Sequence, residues 1–276
     1  MCYIEESLTT RDGARLYVRK HEAERPRAEL ILVHGFGEHS GRYGPLTMYL
    51  VDRSYSVTAY DQRGHGQSDG LPGYIDRFDA YGEDLESVIA TVRSRTEQPL
   101  FIIAHSMGSL VALRYLALGS SVIAGAVLSA PLLAVAVKVP AHKVMIARVG
   151  AHVAPRLRLD NEIDPAVLSR DPEVGRAYAS DPLVHHVVSP RWFAEAKAAM
   201  EQAITSAPDV RVPLLVMHGS DDRLASVDAT KRTFPRLGSQ DKQLEIYDGY
   251  YHELFNEPEK QEIYNTVVEW LDARTA

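Results

Sequence analysis

Short apolar runs bounded by Gly, Pro and Asp alternate along the chain with segments whose apolar residues recur at helical spacing. This alternation is typical of a mostly parallel sheet with crossover helices, so we expect an α/β fold in which helices flank the sheet. The predicted strands are residues 15–18, 29–33, 56–60, 100–104, 123–128, 213–217 and 243–247. The predicted helices are residues 43–52, 77–94, 107–118, 227–234 and 258–273.

One long connection interrupts this alternation. About 80 residues separate the predicted strand that ends near Ser129 from the one that begins at Pro213, far more than the few residues usual between a helix and a strand. We therefore expect a helical cap inserted at residues 131–208. The two parts of the core would then be residues 1–130 and 209–276.

Composition and charge narrow the class of protein. The 276 residues and 45% hydrophobic content suffice for a large core, and a formal net charge of -7 argues against a broad nucleic-acid-binding surface. We expect no nucleic-acid partner. The single cysteine, Cys2, cannot form an internal disulfide, and no basic start is followed by an apolar segment of signal-peptide length. These features predict a cytoplasmic protein.

The stretch FIIAHSMGS, residues 101–109, places Ser106 between a predicted strand and a predicted helix. A strand that turns into a helix through one residue must bend sharply, and Ala104 and Gly108 are the small neighbours that such a bend requires. The bend would lift the Ser106 hydroxyl clear of the sheet, beside helix N–H groups that can stabilise a developing negative charge. A helix-capping serine is the alternative interpretation.

A second serine matches the stricter pattern G-x-S-x-G. Ser68 lies in GQSDG, residues 66–70, but no predicted strand directly precedes it and no helix follows. Its surroundings therefore favour Ser106 as the nucleophile.

A nucleophilic serine needs a base and an orienting acid, and in folds that present it on such a bend the chain order is Ser, acid, His. Asp221 and Asp222 follow a predicted strand, and His252, the only histidine after them, lies between the last predicted strand and helix. The carboxyl ends of parallel strands are where sites form in α/β sheets. We therefore predict a triad of Ser106, one of these aspartates and His252.

The loop after the strand at residues 29–33 contains two glycines. Gly35 and Gly37 free the backbone to aim an N–H group at the site. The predicted oxyanion-hole donors are therefore the backbone N–H groups of Phe36 and Met107.

The same loop supports a rival hypothesis. G-x-G-x-x-G after a strand, with Asp61 ending the next strand, outlines a dinucleotide site, which makes a nucleotide-dependent oxidoreductase the alternative from another class. Ser40 replaces the third glycine, however, and the helix is predicted to begin too late to meet a pyrophosphate. No metal-binding motif occurs, so we expect no metal, and we expect His185 and His186 at the surface.

Several blocks of sequence together resemble the α/β-hydrolase superfamily and, more narrowly, the monoacylglycerol lipases and related lysophospholipase-like esterases. The blocks are HGFGEHSGRY, DQRGHGQSDG, AHSMGS, SRDPEVGRAYASDPLV, HGSDDR and YYHELFNEP. The resemblance covers nearly the whole chain. It implies Ser106 as the nucleophile, His252 as the base and Asp222, rather than Asp221, as the acid.

The resemblance also implies that Glu38 and Arg42 line the pocket for a glycerol head group, whereas the alternative is a surface ion pair worth little. Two positions depart from the family pattern. Ala104 replaces the usual first glycine of the bend, and Phe255 stands where some relatives have a histidine that lines the head-group pocket. The second departure removes a polar contact, and with it part of the expected preference for glycerol esters.

The first part of the predicted cap is basic in an otherwise acidic protein. Residues 131–159 contain no Asp or Glu, and Met145, Ile146, Val149 and Val153 fall on one helical face. An apolar stripe flanked by cations favours an anionic membrane surface; the alternative is that the stripe packs on the core. The cations are Lys138, Lys143, Arg148, Arg156 and Arg158.

We therefore predict a serine hydrolase, without cofactor, that cleaves monoacylglycerols to glycerol and free fatty acid through an acyl-enzyme intermediate. Its expected partner is a monoacylglycerol or another single-chain lipid ester, with peripheral membrane contact through the cap. The alternatives within the same fold are a lysophospholipase, a general carboxylesterase and a scaffold that binds without catalysis.

Overall fold

The computed structural model describes residues 2–119, 122–136 and 141–275. These residues contain ten strands, most of them short and apolar. The strands are β1 (Cys2–Thr9), β2 (Arg15–Glu22), β3 (Ala28–Val33), β4 (Tyr55–Tyr60), β5 (Leu100–His105), β6 (Gly125–Ser129), β7 (Leu159–Asp160), β8 (Val187–Val188), β9 (Leu214–Gly219) and β10 (Lys242–Tyr247).

Eight of these strands form one sheet in the order β1-β2-β4-β3-β5-β6-β9-β10. β1 and β2 are antiparallel to each other, and β2 is antiparallel to β4. All other neighbours in the sheet are parallel. Each of the seven predicted strands overlaps one of the eight, so the predicted mostly parallel sheet is confirmed. β7 and β8 pair only with each other.

The edge strand β1 was not predicted. It pairs with β2 from Cys2 opposite Glu22 to Thr9 opposite Arg15, and its residues are exposed or half-buried. Because neither face of β1 is buried, its sequence shows no alternation of apolar and polar positions that would indicate a strand.

Eight helices occur in the described residues. They are α1 (Gly44–Val51), α2 (Asp79–Arg93), α3 (Met107–Ala117), α4 (Ala141–Val153), α5 (Pro172–Ser180), α6 (Pro190–Thr205), α7 (Val227–Thr233) and α8 (Lys260–Asp272). The five predicted helices correspond to α1, α2, α3, α7 and α8, with ends that differ by at most two residues. No helix in the part of the chain that the structure describes is long and apolar enough to cross a bilayer.

Helices cover both faces of the sheet, so the central strands are buried on both sides. In β3, Ile31 and Val33 belong to the apolar cluster that includes α2, α3 and α6. Leu30 and Leu32, which point to the opposite face, belong to the cluster that includes α1 and α8. Burial on both faces explains why the parallel strands have continuous apolar runs rather than alternating ones.

The chain between β6 and β9 forms α4, α5, α6 and the short β7–β8 pair. α6 packs on the core through Ala196, Ala199 and Ala203, and its Trp192 donates a hydrogen bond from Nε1 to the hydroxyl of Tyr81 at 3.2 Å. α4 contacts α6. The predicted basic stripe falls on and after α4, although Lys138 and the side chains of Lys143 and Ile146 lie outside the described residues.

Because α3 lies so close to β3, we expect a larger residue at Gly108 to lower the free energy of unfolding. A Cβ on Gly108 would lie 2.2 Å from the backbone oxygen of Val33, so Gly108→Ala must displace a helix or a buried strand. Such overpacking typically costs about 1–3 kcal/mol of unfolding free energy. The matched control is Gly82→Ala in α2, where a Cβ meets nothing within 4 Å and should stabilise the helix by about 0.5–1 kcal/mol. Urea unfolding of both variants checks this, and equal stability of the two would contradict it.

Candidate active site

Ser106 forms the whole connection between β5, which ends at His105, and α3, which begins at Met107. Its backbone has φ 52° and ψ -115°, a positive-φ conformation outside the left-handed helical region that is strained for any residue with a side chain. The Ser106 N–H donates to the backbone oxygen of Ser129 on β6 at 2.9 Å, which fixes the bend against the neighbouring strand. The nucleophile predicted from the sequence therefore lies at the carboxyl edge of the sheet.

His252 lies beside this serine. Its Nε2 is 2.9 Å from Ser106 Oγ, and its Nδ1 is 2.7 Å from Asp222 Oδ2. With its proton on Nδ1, His252 donates to Asp222, and its Nε2 accepts the hydrogen bond from the serine hydroxyl. All three side chains are nearly buried. The structure thus places Ser106, His252 and Asp222 in one chain of hydrogen bonds, and such a chain can transfer the serine proton to the imidazole.

The two candidate acids lie in different surroundings. Asp221 is exposed and accepts a hydrogen bond from Ser220, whereas Asp222 faces His252. Asp222 Oδ1 accepts hydrogen bonds from the backbone N–H groups of Leu224 and Ala225, at 2.8 and 2.9 Å.

His218 was not recognised in the sequence, and it is the fourth donor to Asp222. Its Nε2 lies 3.0 Å from Asp222 Oδ2, and its Nδ1 lies 3.0 Å from the hydroxyl of Thr230. The signal that could have found it is a histidine near the end of β9, four residues before the acid.

These contacts shift the pKa values of Asp222 and His252 in opposite directions. Burial raises the pKa of the Asp222 carboxyl, but His252 and His218 outweigh burial and hold that pKa well below its usual range. Burial lowers the pKa of His252, but the charge of Asp222 and its hydrogen bond outweigh burial, so this pKa lies above its ordinary value. A third ring, that of His105, lies 4.7 Å from the His252 ring, and burial lowers the pKa of His105 to about 3. His105 is therefore neutral at physiological pH.

The loop after β3 passes directly against the serine. A Cβ on Gly35 would lie 3.3 Å from Ser106 Cβ and 2.8 Å from Glu38 Oε1, so this close approach needs a glycine. His34 Nδ1 lies 2.7 Å from the oxygen of Gly35, and its Nε2 accepts a hydrogen bond from the N–H of Gln62 at 2.8 Å. The Nδ1 of His34 therefore carries the proton and donates a hydrogen bond to the backbone oxygen of Gly35.

This contact orients the next amide. The peptide between Gly35 and Phe36 is planar and trans, so its N–H lies opposite the carbonyl that His34 holds. The Phe36 ring packs on Trp192, with centroids 3.9 Å apart. Within the described residues, the N–H groups of Phe36 and Met107 have no protein acceptor. Both amides are thus available to an oxygen bound near Ser106.

Glu38 is buried and Arg42 is nearly so, which means that the alternative of a surface ion pair is wrong. Arg42 Nη1 lies 2.8 Å from Glu38 Oε2, with the Arg42 side chain 9% exposed and that of Glu38 4% exposed. Glu38 Oε1 accepts hydrogen bonds from the N–H of Gly35 and from the hydroxyl of Tyr43, both at 2.6 Å. Burial raises the pKa of Glu38, but Arg42, the neighbouring histidines and the hydrogen bond from Tyr43 together outweigh burial and lower the pKa to about 2.

Asp61, which the dinucleotide hypothesis would use to bind a ribose, is buried and accepts three hydrogen bonds within the protein. Its Oδ1 accepts from the N–H and the hydroxyl of Ser40, at 2.8 and 2.6 Å, and its Oδ2 accepts from the N–H of Gln67 at 2.9 Å. Ser68 is also engaged, since its hydroxyl donates to the backbone oxygen of Asp61 and accepts from the N–H of Tyr17. Both side chains therefore hold the loop after β4.

The expectation that His185 lies at the surface is wrong. Its ring nitrogens are buried, and its ring lies 4.7 Å from that of His65 and 5.1 Å from that of Phe36. Burial lowers the pKa of His185 to about 4, so the ring packs as a neutral aromatic group. Among the residues that the structure describes, no group of three or more His, Cys, Asp or Glu could hold a metal ion.

The titration of His252 tests the geometry without any assay of activity. In histidine side-chain NMR spectra, the pKa of His252 should lie above the ordinary value, and Asp222→Asn should lower it because the adjacent negative charge is lost. The matched control is Asp221→Asn, which removes an exposed charge one residue earlier and should leave the His252 titration unchanged. Equal effects of the two substitutions would contradict the pairing of Asp222 with His252.

Comparison with known proteins shows which family this chain resembles in sequence. A family model described as serine aminopeptidase, S33, matches residues 24–259. The monoacylglycerol lipase of Mycolicibacterium smegmatis is 34% identical over 248 residues, which are 89% of this chain and 88% of that protein. The phospholipase YtpA of Bacillus subtilis is 32% identical over 255 residues, which are 91% of this chain and 97% of that one.

A solved structure agrees with these relatives. The crystal structure of the Paleococcus ferrophilus monoacylglycerol lipase superposes with a TM-score of 0.87 at 35% identity, and the match covers 94% of this chain and 99% of that one. The chain therefore belongs to the serine aminopeptidase S33 family and has the α/β-hydrolase fold.

Proposed function

We propose that this protein is a serine ester hydrolase that cleaves monoacylglycerols to glycerol and free fatty acid through an acyl-enzyme intermediate. The observation that carries the proposal is the hydrogen-bonded chain from Ser106 through His252 to Asp222. The two relatives named monoacylglycerol lipase support the substrate class. The mechanism uses side chains and backbone amides of this chain and needs no cofactor.

In the first half of the proposed reaction, Ser106 Oγ attacks the ester carbonyl carbon while His252 Nε2 takes the hydroxyl proton. The carbonyl oxygen becomes negatively charged and accepts hydrogen bonds from the N–H groups of Phe36 and Met107. His252 then gives its proton to the glycerol oxygen as the carbon–oxygen bond breaks. Glycerol leaves, and the acyl group remains on Ser106.

In the second half, water repeats these steps. His252 takes a proton from water, the resulting hydroxide attacks the acyl carbonyl, and the proton returns to Ser106 as the fatty acid leaves. Asp222 holds the imidazole in the tautomer with its proton on Nδ1 and stabilises the ring when it is charged.

Few polar groups on the head-group side of the proposed pocket are free to bind a glycerol. We propose that Glu38 and Arg42 shape it mainly by fixing the loop after β3, because both oxygens of Glu38 already accept hydrogen bonds within the protein. Phe255 is 2% exposed and belongs to the core cluster that contains Tyr43, so it supplies no polar contact. This favours testing a second candidate, phospholipase activity on single-chain phospholipids, as the name of the Bacillus subtilis relative suggests.

We also propose that residues 131–208 form a cap over this site, and that the cap contacts an anionic membrane surface. The apolar residues Met145, Val149 and Val153 of α4 are 59%, 53% and 75% exposed, so these residues do not pack on the core. Arg148 is exposed on the same helix, and Arg156 and Arg158 follow it. A peripheral contact of this kind suits a cytoplasmic enzyme whose substrate resides in a bilayer.

A fluorophosphonate probe tests the proposed nucleophile. The wild-type protein should be labelled at one site and should hydrolyse monoacylglycerol, and Ser106→Ala should lose both properties because it removes the hydroxyl that lies 2.9 Å from His252 Nε2. The matched control is Ser68→Ala, which removes the hydroxyl of the competing motif and should keep both. Labelling or turnover that survives in Ser106→Ala would reject the assignment.

The same assays separate the remaining alternatives. A binding scaffold predicts no labelling of the wild type, and an oxidoreductase predicts nicotinamide binding instead. For an active enzyme, a panel of monoacylglycerols, lysophospholipids and simple alkyl esters ranks the substrates by kcat/KM. A higher value for lysophospholipids would replace the proposed substrate with the second candidate.

Membrane contact predicts salt-sensitive binding to vesicles that contain anionic lipids. Arg148→Glu should weaken co-sedimentation with these vesicles at least about fivefold, because the loss of one cation costs about 1 kcal/mol near such a surface and the new carboxylate adds repulsion. The matched control is Arg232→Glu on α7, another exposed arginine, which should bind like the wild type. Binding that is insensitive to salt, or equally weakened in the two variants, would contradict a docking role for α4.

A further inference from the structure

The residue after the base is a buried acid whose carboxylate pairs with an arginine. Glu253 is 5% exposed, and its N–H donates to the backbone oxygen of Leu168 at 2.7 Å. Its carboxylate accepts hydrogen bonds from both terminal nitrogens of Arg42, from Nη1 to Oε1 at 2.7 Å and from Nη2 to Oε2 at 2.8 Å. Asn256 adds a hydrogen bond to Oε2 at 2.7 Å. This parallel, two-bond geometry fixes direction as well as distance.

Arg42 continues the connection to the other side of the site. Its Nη1 also donates to Glu38 Oε2 at 2.8 Å, and Glu38 Oε1 accepts the N–H of Gly35 at 2.6 Å. Gly35 precedes Phe36, whose amide is the proposed oxyanion donor, and it lies directly against Ser106. A continuous set of buried polar contacts therefore joins the loop of His252 to the loop of Phe36. We call the three side chains Glu253, Arg42 and Glu38 the brace.

We propose that Glu253 is a positioning residue for the hydrolytic reaction: through the brace it holds the loop of His252 and the loop of Phe36 at a fixed separation. The inference rests on the function proposed above and deepens it. A reaction that needs the base and the oxyanion donor at once is sensitive to their relative placement, and a displacement of about 1 Å can lower the rate about a hundredfold.

The brace also adds charge near the base. Glu253 and Glu38 each raise the pKa of His252, after the larger effects of burial and Asp222. Other charged or titratable groups face His252 as well, from each element packed around it. They are Asp222, which His218 also contacts, His105 at the end of β5, and Glu38 from the loop after β3. Arg42 is paired with both glutamates.

Glu253→Gln tests the proposal because it keeps the shape of the side chain, removes its charge and replaces one acceptor with a donor that faces Arg42. The expected result is a kcat reduced about tenfold or more on a nitrophenyl ester, with little change in KM. Loss of the negative charge lowers the pKa of His252. Since hydrolysis needs neutral His252, the acid limb of the kcat/KM profile should move to lower pH.

The matched control is Asp84→Asn, which breaks another buried pair of an acid with an arginine. Asp84 is 1% exposed and accepts hydrogen bonds from Arg63 at 2.7 and 3.0 Å, on the face of the sheet covered by α2. The Asp84→Asn variant should melt at a lower temperature than the wild type. Assayed well below that temperature, it should keep the wild-type kcat and the acid limb of the wild-type kcat/KM profile. The proposal is overturned if Glu253→Gln behaves like Asp84→Asn. It is also overturned if Glu253→Gln lacks either the loss of kcat or the shift of the acid limb.

Two further measurements keep the result interpretable. Glu253→Asp retains the charge but shortens the side chain, so it should lower kcat while leaving the acid limb in place; a wild-type kcat in this variant overturns the proposal even if Glu253→Gln does not fold. Fluorophosphonate labelling of the wild type separates the two proposals. An unlabelled wild type rejects the proposed function, whereas a labelled wild type with an unaffected Glu253→Gln rejects the brace alone.

Discussion

The site depends on the strained backbone of Ser106. A backbone with this positive φ at a residue with a side chain costs about 1–3 kcal/mol and persists only where the surroundings hold it. Here the N–H of Ser106 is bound to Ser129 on the next strand, and Gly108 lies so close to Val33 that the following helix cannot move any nearer to β3. Strand, helix and neighbouring strand thus fix one position for Ser106 Oγ, against which His252 can be placed.

Buried charge is the second constraint. Asp222, Glu38 and Glu253 are all nearly buried, and Arg42 is the cation that pairs with the two glutamates. Each carboxylate is satisfied by several donors, because an unpaired buried charge would be very costly. The two glutamates and Asp222 carry more negative charge than Arg42 balances. That surplus favours the protonated form of His252, through which the proposed reaction passes.

The sequence allowed the residues of the proposed triad to be predicted because they lie at the ends of regular elements. Parallel strands buried on both faces have apolar runs that can be recognised without an alignment, and their carboxyl ends meet at one edge of the sheet. Chain order alone could therefore bring together Ser106 and His252, which are 146 residues apart. The choice between Asp221 and Asp222 was different, since both follow the same strand, and only the family resemblance favoured Asp222.

The groups that orient these residues could not be predicted in the same way. The family resemblance implied that Glu38 and Arg42 line the pocket, with a local surface pair as the alternative. Neither interpretation included Glu253, which lies 211 residues after Arg42 and binds its guanidinium. His218 gave no pattern beyond its place near a strand end. Apolar periodicity determines where an element lies but not the path of the loops that leave it, and here those loops supply most of the hydrogen bonds that hold the catalytic geometry.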